Sequence, residues 1–93
     1  MSARKTFPLG QVVATPGALS AFAEAEEEYL PYLLRHACGD WGTISPEDVQ
    51  ANDEALEEGE RLLSAYRLPG GTKIWIITEA DRSSTCILLP EEY

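Results

Sequence analysis

The chain has few basic residues: seven lysines and arginines face sixteen aspartates and glutamates, for a formal net charge of −9 at pH 7. Nucleic-acid backbones reward Lys and Arg, which neutralise phosphates and release their counterions. The charge balance therefore argues against direct nucleic-acid binding. It favours a protein partner with a basic surface, because surfaces of opposite potential attract each other. Acidity that serves only solubility is the alternative.

Histidine and cysteine are also scarce, with one histidine and two widely separated cysteines. A structural zinc site needs four such ligands at short spacings, so we expect no metal site and no cofactor. We interpret Cys38 and Cys86 as reduced, small core residues, which is the usual state of cysteine in the cytoplasm. We accordingly expect a cytoplasmic protein.

Long apolar runs are missing as well. The longest aliphatic stretches, IWII and CILL, are far shorter than the roughly 20 residues of a membrane span, so we expect no membrane association. The basic start, MSARKTFPLG, is not followed by the apolar segment of a secretory signal. With 93 residues, 44% of them hydrophobic, the chain can bury one modest core, and we expect a single domain over residues 1–93.

The first two-thirds of the chain contain helix signals. Thr15 followed by Pro16 predicts one helix start, and Ser45 followed by Pro46 predicts another. Between them, the segment YLPYLLRHACG has the clearest amphipathic pattern and predicts a helix that ends at Gly39. The predicted buried stripe of this helix leaves Arg35 and His36 near its border or outside it and consists of Leu30, Leu33, Leu34, Ala37 and Cys38.

The helix predicted over residues 46–58 has little to bury apart from Val49 and Leu56. Carboxylates dominate its other faces, so we expect an anionic surface that engages basic residues of a partner. The predicted partner-binding carboxylates are Glu47, Asp53, Glu54, Glu57 and Glu58. Tyr66 and Trp75 are predicted as apolar anchors of the same interface, because aromatic residues dominate the energetics of protein interfaces.

The last third of the chain changes to strand patterns. RLLSAYRL, TKIWIIT and STCILLP are separated by the turn segments PGG and EADRS. They predict a three-stranded antiparallel meander, and the fold class is α+β with two to three N-terminal helices packed on it. Both faces of the central strand are apolar, so the face without helices must meet the segment FPLGQVVA, another helix or a second molecule.

The segment RHACGDWG admits a catalytic interpretation. His36 would be a general base oriented by Asp40, with Arg35 stabilising an anion, which would make the chain a small enzyme or toxin. The structural interpretation is a basic last helical turn, a glycine cap, an aspartate that pins the connection, and Trp41 in the core. We favour the structural interpretation, because the cluster lacks an obvious nucleophile. Cys38 would be the candidate if it were exposed, but it belongs to the predicted buried stripe.

Four segments resemble a family of small bacterial proteins described as plasmid-related, which travel with mobile genetic elements. These segments are FPLGQVVATPGAL, RHACGDWG, NDEALEEGERLLSAYRL and KIWIITEADRSSTCILLPEEY. The resemblance runs from about Phe7 to Tyr93 and implies no catalytic residue, since the family has no stated function. It implies a context, because small acidic proteins of plasmids and phages often resemble counter-defence factors that block CRISPR effectors or restriction enzymes.

Together, the charge pattern and the resemblance predict a non-enzymatic acidic binding protein of a mobile element. We expect an anti-CRISPR or anti-restriction inhibitor that occupies a basic surface of a defence complex. Two alternatives stay open: the small enzyme or toxin that uses Arg35, His36 and Asp40, and a homodimeric scaffold that buries the free sheet face.

Overall fold

The computed structural model describes residues 7–93, which form three helices and a four-stranded sheet. The fold class is α+β, as the sequence predicts. The elements, in chain order, are β1 (Gln11–Ala14), α1 (Pro16–Ala25), α2 (Leu30–Ala37), α3 (Pro46–Glu58), β2 (Leu62–Arg67), β3 (Lys73–Thr78), β4 (Ser84–Leu88) and a 3₁₀ turn (Pro90–Glu92).

The sheet is mixed, with the strand order β1-β4-β3-β2. Strands β2, β3 and β4 form the predicted antiparallel meander, but β1 adds a fourth strand, parallel to β4. The prediction of a three-stranded, wholly antiparallel sheet is therefore wrong. Sequence patterns reveal strands joined by a short turn, whereas β1 pairs with a strand at the other end of the chain and has no local signal for that pairing.

Helices α1 and α3 begin at the predicted caps. The Thr15 hydroxyl accepts a hydrogen bond from the Ala18 amide at 3.1 Å, and the Ser45 hydroxyl accepts one from the Asp48 amide at 3.2 Å. Helix α3 ends at Gly59, whose φ of +72° lies in the left-handed region that favours glycine. Local cap chemistry is thus enough to place these helices along the chain.

The helices cover one face of the sheet. Inward-facing strand residues alternate with outward-facing ones, and Phe22 of α1 and Leu33 of α2 pack against them. The buried strand residues of this face are Leu62, Ser64, Tyr66, Ile74, Ile76, Thr78, Thr85 and Ile87.

The opposite face of the sheet is more covered than the sequence suggests. Ala65, Ile77 and Leu88 are only 5%, 7% and 6% exposed. The rings of Trp75 and Tyr93 meet edge to face with their centroids 5.7 Å apart, and with Ile77 they line a small cleft of about 220 Å³. A partner is therefore not required to bury the centre of this face.

Helix α2 is rotated about its axis relative to the prediction. Its buried residues are Leu33 and His36, whereas Leu30 and Leu34 are 55% and 57% exposed and Cys38 is exposed too. The inward placement of Leu30, Leu34 and Cys38 and the outer placement of His36 are therefore wrong. Strand hydroxyl groups bond both ring nitrogens of His36, which makes burial of the imidazole favourable and turns two leucines towards solvent.

Candidate functional site

The predicted acidic residues of α3 all lie at the protein surface. Its inward side is formed by buried Asn52 and Ala55, flanked by half-buried Val49 and Leu56. The exposed carboxylates, which we call the acidic face, are Glu47, Asp53, Glu54, Glu57 and Glu58. The prediction that these five carboxylates face outward is confirmed.

Asn52 fixes α3 against the sheet. Its side-chain amide donates a hydrogen bond to the Leu63 carbonyl at 2.7 Å and accepts one from the Leu63 amide at 3.1 Å. The side chain thereby takes the place of a neighbouring strand at the outer edge of β2. Sequence reasoning missed this role, although a polar residue in the middle of an otherwise apolar helical stripe was the available signal.

A cleft of about 480 Å³ lies beside the acidic face, between α3 and the segment that follows α2. We call it the α3 cleft. Its lining residues are Cys38, Gly39, Trp41, Val49, Asp53, Leu56 and Glu57.

The α3 cleft combines apolar and acidic side chains. Trp41, Val49 and Leu56 supply its apolar surface, and Asp53 and Glu57 supply its charge. The Trp41 indole donates a hydrogen bond to an Asp53 carboxylate oxygen at 3.4 Å, which connects the two kinds of surface. Lysine and arginine side chains complement such a surface, because their apolar stems can pack on apolar residues while their cationic heads meet carboxylates. The α3 cleft therefore fits a basic side chain.

Tyr66 does not lie at the surface where the sequence interpretation required it. It is 1% exposed, its hydroxyl donates to the Asp40 carbonyl at 2.5 Å, and the Arg35 guanidinium lies 4.7 Å from its ring centroid. Burial raises the pKa of Tyr66 to about 12. The side chain is part of the core, and its expected role as an exposed anchor is corrected accordingly.

Trp75 is half-buried and accessible, but on the sheet face away from the helices, where it contacts Tyr93. It does not line the α3 cleft. The predicted carboxylates thus lie together on α3, and two of these carboxylates, Asp53 and Glu57, line the α3 cleft. Neither predicted anchor, Tyr66 or Trp75, lines it. The apolar residues beside the acidic face are Trp41, Val49 and Leu56 instead.

The RHACGDWG segment is not arranged as a catalytic site. Arg35 and Asp40 form a surface ion pair at 2.8 Å. His36 is 0% exposed, and its two ring nitrogens lie 2.5 Å from the Ser64 hydroxyl and 2.8 Å from the Thr78 hydroxyl. Because both nitrogens are occupied by these hydroxyl groups, Asp40 does not orient the imidazole as the catalytic interpretation requires.

The hydrogen bonds around His36 have a defined direction. Thr85 donates its single hydroxyl proton to the Leu9 carbonyl at 2.7 Å, so Thr78, 2.7 Å away, donates to Thr85. The Nε2–H of His36 then donates to Thr78, and Nδ1 accepts from Ser64. Burial, with a smaller contribution from Arg82, lowers the pKa of His36 to about 4. The neutral imidazole therefore joins α2 to the sheet.

Other kinds of site are not apparent in residues 7–93. Within that range, no three His, Cys, Asp or Glu side chains are grouped so that they could hold a metal ion. None of the helices described is long and apolar enough to cross a bilayer. The sequence matches no known protein-family model, and no curated protein or solved structure is similar enough to count as a match.

Proposed function

We propose that this chain is a non-enzymatic binding protein whose acidic face docks on a basic surface of a partner protein. The supporting observation is the juxtaposition of five exposed carboxylates with the α3 cleft. Carboxylates at the rim of the α3 cleft attract and align a basic surface, and the apolar lining of the cleft provides contacts from which water is excluded on binding. Exposed charge alone would serve solubility equally well, so the neighbouring apolar cleft is the feature that favours docking.

The acidic face is also held in a fixed position before any partner arrives. Asn52 bonds the middle of α3 to the edge of β2. Arg82 donates to the Ala55 carbonyl oxygen in the last turn of α3 at 3.1 Å and to the Glu60 carbonyl oxygen just beyond the helix at 2.6 Å. A pre-organised surface loses less conformational entropy on binding than a mobile one. This anchoring supports a recognition role for the helix.

For the class of partner, we propose a host defence complex of the CRISPR or restriction type. Such complexes hold nucleic acid on basic surfaces, and a chain with a net charge of −9 is attracted to the same surfaces. The resemblance to plasmid-related proteins of mobile elements supports this context. The chain would inhibit by occupying the surface that nucleic acid needs.

Catalysis by Arg35, His36 and Asp40 has no comparable support. A substrate would have to reach an imidazole that is 0% exposed, and its nitrogens would first have to leave Ser64 and Thr78. A binding function requires no such rearrangement, since the acidic face is already at the surface.

The test is affinity capture from a bacterial host lysate at low salt, with three forms of the protein. The first is the wild type and the second carries Glu54→Lys, Glu57→Lys and Glu58→Lys. The matched control changes the net charge by the same amount at three exposed positions near the end of α1, through Glu24→Lys, Glu26→Lys and Glu28→Lys. Thermal unfolding of each form verifies that it is folded.

The wild type and the control are expected to capture the same protein, with bound amounts that fall as salt is added, because exposed charges are screened. The α3 variant is expected to lose it. A Leu56→Arg variant, which places a cation in the α3 cleft and leaves the carboxylates in place, is expected to lose it as well. Equal capture by the wild type and the α3 variant would contradict the proposal.

A further inference from the structure

The two outer edges of the sheet differ in how far other residues cover their backbone. At the β2 edge, the Asn52 side chain bonds Leu63, and the Ala65 amide and carbonyl bond the Trp41 carbonyl and the Thr43 amide at 3.1 and 2.7 Å. No such cover lies along the outer edge of β1 within residues 7–93. Among the residues that the structure describes, the β2 edge is closed and the β1 edge presents its backbone.

The backbone groups that β1 presents can be identified from its pairing. The Gln11 amide donates to the Ser83 carbonyl oxygen, just before β4, and the Thr15 amide donates to the Ile87 carbonyl oxygen of β4, each at 3.0 Å. Because successive strand residues direct their backbone groups to opposite sides, the amides and carbonyls of Val12 and Ala14 face outward. Such an edge is a template for a further strand, and β1 has neither the proline nor the charged residue that usually blocks one.

An apolar groove of about 390 Å³ runs beside this edge. A strand added to β1 would place alternate side chains against it, which is the geometry of recognition by strand addition. Val12, Val13, Leu19 and Tyr29 are 40–48% exposed along it. Its lining residues, none of them charged, are Val12, Val13, Ala14, Leu19, Tyr29, Leu33 and Ile87.

We infer that a second copy of this chain occupies the β1 edge, and that the two copies form one continuous eight-stranded sheet. A chain with a net charge of −9 repels its own copies over most orientations, and an uncharged groove lets two copies approach without like-charge contacts. A basic partner, by contrast, is drawn to the acidic face.

The outward groups of β1 are complementary to themselves. In an antiparallel arrangement with Val13 on the two-fold axis, Val12 of each copy pairs with Ala14 of the other, and four hydrogen bonds close. Val13 then faces Val13 of the second copy in the pair without hydrogen bonds. Helix α3 packs at the β2 end of the sheet, so the dimer leaves two acidic faces free.

Cysteine cross-linking tests both the edge and the register. In a background with Cys38→Ser and Cys86→Ser, Val13→Cys puts two thiols in the pair without hydrogen bonds, where Cα atoms lie about 4.5 Å apart, a separation that a disulfide can span. Oxidation is expected to convert this variant to a covalent dimer. Val12→Cys is the matched control and is expected to stay monomeric, because Val12 lies opposite Ala14. Equal cross-linking of both variants, or of neither, would overturn the register.

Light scattering after size exclusion tests association itself. The wild type is expected to approach twice the monomer mass as its concentration rises. Val12→Pro removes an amide that faces away from β4 and spares the internal ladder, and Val13→Lys places two ammonium groups opposite each other; both are expected to be monomeric. Thr72→Lys adds the same charge in the exposed β2–β3 turn and is expected to dimerise. A strictly monomeric wild type, or a dimer that survives both β1 changes, would overturn the inference.

Discussion

Acidification should destabilise this protein through its one histidine, His36. Burial lowers the pKa of His36 from 6.5 to about 4, and the Arg82 guanidinium adds to the shift. In the unfolded chain the imidazole regains its ordinary pKa, so between these values the unfolded state binds more protons than the folded state. The contribution of neutral His36 is therefore complete above about pH 6.5 and is lost as the pH falls towards 4.

The size of this effect follows from the pKa difference. A shift from 6.5 to about 4 corresponds to about 3 kcal/mol between neutral and strongly acidic solution. Most of that loss occurs early: between pH 7 and pH 5 the free energy of unfolding should fall by about 2 kcal/mol. This is a large fraction of the total stability of a small domain, which is about 5–15 kcal/mol.

Urea unfolding followed by tryptophan fluorescence at pH 7 and pH 5 measures the loss. The control is His36→Gln, which lacks the ionisable group; it should be less stable at pH 7 but lose about 2 kcal/mol less than the wild type between the two pH values. NMR of the wild type is an independent check, since a single imidazole gives an unambiguous titration, with a proton expected on Nε2. An imidazole pKa near 6.5, or equal pH dependence in both proteins, would refute the reasoning.

Three further changes test contacts that hold the candidate site. Asn52→Ala leaves the half-buried amide and carbonyl of Leu63 without their partner side chain and should cost about 1–3 kcal/mol in urea unfolding. Gly42→Ala puts a Cβ against the Ala65 carbonyl oxygen, at a residue whose φ is +79°. Gly59→Ala is the matched control, because its φ of +72° is similar but the space around its Cβ is open. The thermal midpoint of the Gly42→Ala variant should therefore fall much further than that of the Gly59→Ala variant. Arg82→Lys keeps the charge, but a lysine cannot bond the four backbone carbonyl oxygens that Arg82 bonds. This variant should therefore lower the free energy of unfolding by about 1–2 kcal/mol. An unchanged free energy of unfolding would show that those bonds contribute nothing.

The local parts of the fold were predictable because their causes lie in neighbouring residues. Thr15 and Ser45 followed by proline mark the starts of α1 and α3, and alternating apolar residues mark β2, β3 and β4. The segment FPLGQVVA was expected to be extended, but the parallel pairing of β1 with β4 was missed because a neighbour far along the chain is not encoded locally. The face of α2 was wrong because the apolar stripe was assumed to be buried, and partners for His36 come from strands that the helix sequence does not contain.

The candidate site was predictable in its charge and not in its shape. Carboxylates avoid burial, so the exposure of the acidic face follows from residue type alone. The α3 cleft depends on how Trp41 meets α3, which is a tertiary contact. Tyr66 was misplaced because alternation tells which residues share a face of β2 and leaves open which face the helices cover.

Hydrogen–deuterium exchange of the chain with and without its captured partner tests the central claim most directly. Docking through the acidic face predicts partner-dependent protection of backbone amides in α3 and in residues 38–41, which border the α3 cleft. Protection confined to other parts of the chain, such as the Trp75 face of the sheet, with α3 exchanging as in the free protein, would contradict it.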